Sequence, residues 1–84
     1  MDKKTFAGLT IIEQGMALLT DGKHIAQVKQ NNHLLNLYSL NDFFVEVYFS
    51  VTTSQVDKIE LVNDDSRIDF YIEELKNEKK PHLN

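Results

Sequence analysis

Residues 40–51, Leu-Asn-Asp-Phe-Phe-Val-Glu-Val-Tyr-Phe-Ser-Val, decide the fold. Phe43, Val45, Val47, Phe49 and Val51 recur at every second position, the period of a strand with one face in a core. The intervening Phe44, Glu46, Tyr48 and Ser50 then form the outer face, yet two of the four are aromatic. A strand apolar on one side and half apolar on the other is sandwiched inside the molecule or covered by a partner.

Working outward, Asn41-Asp42 reads as a tight turn that joins this strand to an earlier one at His33–Leu40. Asn31-Asn32 is a second turn of the same kind, preceded by a strand at His24–Gln30. Asparagine tolerates positive φ better than any residue but glycine, which suits both pairs to hairpins. After a polar loop at Thr52–Gln55, Asp57–Val62 alternates Ile59 and Leu61 with Lys58 and Glu60 and gives a fourth strand.

Two registers are open at Asn41-Asp42. A two-residue loop pairs Leu40 with Phe43 and Asn36 with Val47. A three-residue loop pairs Leu37 with Val47 and Leu35 with Phe49, leaving Asn36 and Tyr38 outside. The slip exchanges the faces of strand two. The three-residue loop is preferred because it buries leucines rather than Asn36, at the cost of positive φ near Phe43.

Helices flank the strands. Thr10-Ile11-Ile12-Glu13 is a capping box, and Ile11, Ile12, Gly15, Met16, Leu18 and Leu19 fall on one broad arc of a helix over 11–21. Asp21-Gly22 ends it, with Gly22 expected in the left-handed conformation. Phe6 and Leu9 are placed to fold back onto its first turn. Ser66 with Asp69 caps a second helix whose stripe is Ile68, Tyr71, Ile72 and Leu75, with Phe70 outside it. Pro81 stops this helix, and residues 80–84 are expected to fray. The fold class is α+β: helix, four-stranded antiparallel β-meander, C-terminal helix, in a single domain of residues 1–84.

Composition narrows function by exclusion. There is no cysteine and therefore no disulfide or thiolate metal site, which fits a reducing cytoplasm. Net charge is −4, and the basic residues are scattered apart from Lys3-Lys4 and Lys79-Lys80, so no positive surface concentrates for nucleic acid. Glu13, Gln14 and Gly15 interrupt the apolar stretch near the start, which excludes a signal peptide or membrane span there.

At Leu37–Phe49 the chain resembles a group of small bacterial proteins of uncharacterised activity. They carry a Leu-aromatic-x-Leu turn, an aromatic pair and a Val-Glu-Val-aromatic strand, matched here by Leu37, Tyr38, Leu40, Phe43, Phe44, Val45, Glu46, Val47 and Tyr48. The Thr10-x-x-Glu13-Gln14 helix start and an apolar helix near the end are shared as well. The resemblance implies the same fold. It implies no activity, substrate or cofactor.

No catalytic, cofactor-binding or metal-binding residues are assigned. His24, His33 and His82 have no metal-ligand spacing. Asn63, Asp64, Asp65 and Asp69 lack the alternating carboxylates and turn glycine of a calcium loop and read as helix capping. Gly8, Gly15 and Gly22 do not form a dinucleotide fingerprint. Glu46 is expected to be an exposed strand carboxylate; a covered outer face would instead make it an acid or base in a pocket. Tyr38, Phe44, Glu46, Tyr48 and Phe70 are the candidate partner-binding residues, since clustered outward aromatics mark partner surfaces unless a helix covers them. The leading expectation is a non-catalytic binding or adaptor module, a homodimer through the outer sheet face or a sheet edge, with neither nucleic acid nor membrane as partner. The alternatives are a small ligand-binding protein or enzyme with a pocket between helix and sheet, and an acidic inhibitor of a basic protein.

Overall fold

A computed structural model describes residues 1–78. The elements run α1 (Lys3–Ala7), α2 (Ile11–Asp21), β1 (Lys23–Gln30), β2 (His33–Leu40), β3 (Phe43–Ser50), β4 (Gln55–Leu61) and α3 (Asp65–Glu78). The α+β class is as read from sequence: a helix, a four-stranded antiparallel meander in the order β1-β2-β3-β4, and a C-terminal helix. Helix α1 is an addition. Asp2 caps it by accepting the Thr5 N–H at 2.8 Å, and it carries Phe6 into full burial.

The capping box of α2 is formed in both directions. Glu13 N–H donates to Thr10 Oγ1 at 3.2 Å, and Thr10 N–H donates to Glu13 Oε1 at 2.9 Å. The Thr10 amide holds the Glu13 carboxyl below its ordinary pKa. Gly22 ends the helix, but with φ −78 it is extended rather than left-handed. Its glycine is required by crowding, because a Cβ there would stand 2.6 Å from the Leu18 carbonyl oxygen. Helix α3 begins earlier than expected: the Asp64 carboxylate accepts the Ser66 N–H at 2.9 Å, so the cap is Asp64 and not Ser66. The helix stop at Pro81, the fraying of 80–84 and His82 lie outside the described residues.

Both hairpin turns contain two residues, and the first of each takes positive φ: Asn31 at 56° and Asn41 at 55°. The β2–β3 register pairs Leu40 with Phe43, Tyr38 with Val45 and Asn36 with Val47, so the three-residue alternative is overturned. Preferring that loop assumed that only one face of β2 could bury leucines. Helices in fact cover both faces. Against the first, Phe6, Leu18, Leu40, Phe43 and Val45 make a core beneath α1 and α2. Against the second, Ala26, Val28, Leu35 and Leu37 close around Tyr71 of α3. Asn36 sits on the first face, where its Oδ1 accepts from Gln27 Nε2 at 3.0 Å and lies 2.9 Å from His24 Nε2. Strand β4 starts at Gln55, with Ser54 at φ 58 completing the loop before it. An irregularity skips Asp57: Tyr48 pairs with Lys58 but Phe49 with Val56.

Candidate functional site

Glu46 is the middle of β3, and the strand's period turns it toward α3. Contrary to the exposed carboxylate expected from sequence, it is 2% exposed. The first two turns of α3 place Arg67 and Tyr71 one helical turn apart on the side that meets it. Arg67 grips the carboxylate with both arms of its fork, Nε to Oε1 at 2.9 Å and an Nη to Oε2 at 2.6 Å. Tyr71 donates its hydroxyl to Oε2 at 2.9 Å. The bond to Glu46 raises the Arg67 pKa above its already high ordinary value. Burial, reinforced by the Glu46 charge, pushes the Tyr71 phenol well above the usual tyrosine range. Arg67 also stacks 4.7 Å from the centre of the Phe70 ring.

This cluster ties α3 to the sheet. Three donors engage the two carboxylate oxygens, and neither of the two surface clefts beside α2 borders them. Arg67 was not singled out from sequence, although it is the chain's single arginine and stands four residues before Tyr71.

The candidate partner residues separate in space. Glu46, Tyr48 and Phe70 gather at the α3 face, with Tyr48 half-buried, Lys58 Nζ 4.3 Å from its ring centre and His33 edge-on at 6.3 Å. Burial, then the nearby Glu46 charge, raises the Tyr48 pKa. Phe44 remains exposed. Tyr38 lies on the opposite face, edge-on to His24 at 5.1 Å. His33 Nε2 meets Asp57 Oδ2 at 2.6 Å. No group of three or more His, Asp or Glu side chains that could hold a metal occurs among the described residues.

The larger exposed apolar surface is on α2. At 3.6 residues per turn, Leu18, Ile11, Gly15, Leu19, Ile12 and Met16 follow one another around about 160° of the helix. Leu18, 3% exposed, is in the core, whereas Ile12, Met16 and Leu19 are 76%, 60% and 80% exposed. The sequence arc is thus present but only partly covered. Between α2 and β4 runs a cleft of about 190 Å³ lined by Gly15, Leu18, Leu19, Tyr38, Val47, Val56 and Ile59. A neighbouring hollow of about 300 Å³ shares Gly15, Val56 and Ile59 and adds Ile11 and Ile12. Gly15 leaves the space open: a Cβ there would meet nothing within 4 Å.

No helix among the described residues is long and apolar enough to cross a membrane. No family model, curated protein or solved structure matches the chain.

Proposed function

We propose that this chain is a non-catalytic protein-binding module that associates with itself, and that its contact surface is the apolar side of α2 with the adjoining cleft over β4. The observation that carries this reading is the run Ile12, Met16 and Leu19, three large apolar side chains one turn apart and mostly uncovered. Single exposed apolar residues are ordinary, but a contiguous group beside an apolar cleft marks an interaction surface. The cleft contributes contact area and, apart from the Tyr38 phenol, no titratable group. That chemistry suits docking better than a reaction, which would need an acid and a base in reach of one substrate.

Light scattering at micromolar concentration tests the reading. The wild type is expected to be a dimer, and Leu19→Asp a folded monomer with an unchanged circular dichroism spectrum. A monomeric wild type overturns the proposal, as does a Leu19→Asp variant that still dimerises.

A further inference from the structure

Strand β4 is one edge of the sheet, and its side chains are largely exposed. The direction of its backbone groups follows from the ladder. Val62 N–H donates to the Phe44 carbonyl at 3.0 Å, and the same register pairs Glu46 with Glu60 and Tyr48 with Lys58. Hydrogen-bonded pairs alternate with unbonded ones between antiparallel strands, so Lys58, Glu60 and Val62 turn their amides toward β3. Ile59 and Leu61 turn theirs to the free edge.

We infer that β4 pairs antiparallel with β4 of a second copy of this chain, with the two-fold axis at Ile59. The inference rests on the self-association proposed above and names its geometry: one eight-stranded sheet with the two α2 helices on the same face. On this axis Ile59 meets its own copy as a hydrogen-bonded pair, and Leu61 meets Asp57. Lys58 of each copy faces Glu60 of the other, giving two opposite-charge pairs. Other symmetric registers lose this. An axis at Glu60 sets it against its own copy beside Glu46, and an axis at Lys58 opposes two lysines. A shift by one residue between the copies sets an outward amide against an inward one.

The apolar pattern agrees with the charges. Val47 pairs with Ile59 and Val45 with Leu61, and the irregularity at Asp57 brings Val56 opposite Phe49. Val56 and Ile59 therefore line the clefts under α2. Joining two β4 edges turns each cleft toward the other across the seam, with Ile12, Met16 and Leu19 of both copies beside it. Both edges carry lysine and an irregularity, Lys58 and Asp57 on β4, Lys23, Lys29 and Ile25 on β1. The difference is in charge: β1 has no acidic residue, so a symmetric pairing of two β1 edges offers no opposite-charge pair within the strand.

Because the chain has no cysteine, Ile59→Cys introduces a single reporter. A hydrogen-bonded antiparallel pair sets its Cα atoms about 5.5 Å apart, within disulfide reach. Oxidised Ile59→Cys is expected to run as a covalent dimer and Ile25→Cys as a monomer. Lys58→Glu and Glu60→Lys, made separately, are expected to raise the dimer Kd about tenfold each. The combined exchange K58E/E60K is expected to restore it. Cross-linking of the Ile25→Cys variant but not of Ile59→Cys, or a double variant no tighter than the singles, overturns β4 pairing. If Leu19→Asp still dissociates the dimer in that case, the α2 surface stands and only its geometry fails; a monomeric wild type overturns both.

Discussion

Helices α2 and α3 cover opposite faces of one sheet, and they divide apolar and polar character in opposite ways. Helix α2 carries apolar side chains that it does not bury: Leu18 enters the core while Ile12, Met16 and Leu19 stay in water. Helix α3 buries polar groups against the sheet, where Arg67 and Tyr71 converge on Glu46. Apolar contact is non-directional and would let a helix slide or rotate. A bidentate ion pair fixes one orientation. The contrast separates a helix held in a specified pose from a helix with surface to spare for a partner.

The sharpest way to break this comparison is to remove the cation on the α3 side. Arg67→Met leaves the Glu46 carboxylate buried with one neutral donor and is expected to cost about 4 kcal/mol. Urea unfolding measures it, and a loss under about 1 kcal/mol means that the ion pair does not hold α3. Next come adjacent residues of α2. Leu18→Ala is expected to cost about 3 kcal/mol, whereas Leu19→Ala changes the stability of the isolated monomer by less than about 0.5 kcal/mol. Equal losses at the two positions would show that the outer arc is packed.

The smallest effect is on the Tyr71 hydroxyl. Tyr71→Phe removes one of three donors to Glu46 and is expected to cost about 1 kcal/mol at neutral pH. The pH dependence has a definite sign. The folded-state pKa of Tyr71 lies well above the ordinary value near 10, so the neutral phenol is favoured by folding. Its stabilisation is fully present below about pH 10 and declines as pH rises beyond that, while unfolded chains lose the proton first. Tyr71→Phe is expected to flatten the fall in stability between about pH 10 and 12, read from urea midpoints. An unchanged slope assigns it to other groups, Tyr48 among them.

Most of the fold was legible in local chemistry. The two Asn-led turns, the Thr10–Glu13 capping box and the alternation in β3 each depend on residues close in sequence. What escaped depends on residues far apart. The register of β2 against β3 could not be chosen without knowing that α3 would cover Leu35 and Leu37. Glu46 read as exposed for the same reason: its partners stand 21 and 25 residues away. The surface on α2 was missed in another way. Helical spacing gives the width of an apolar arc but not how much of it the rest of the chain covers, so Ile12 and Leu18 look alike until the sheet is in place. Helix α1, at five residues, is too short to display a period.

The neighbour-by-neighbour order of the strands has a consequence in time. Two of its three strand pairings close across two-residue turns and the third across four residues, so the meander forms from short loops with little entropy lost in closing each. Covering it is slower work for a chain. Phe6 must find Phe43, and Tyr71 must find Val28 and Leu35, across roughly 36 to 43 residues. The sheet can therefore assemble before either face is sealed. In any state where the sheet has formed and α3 has not docked, Leu35 and Leu37 would stand open to solvent and to other chains, and the bond from Arg67 to Glu46 can form only when α3 closes that face.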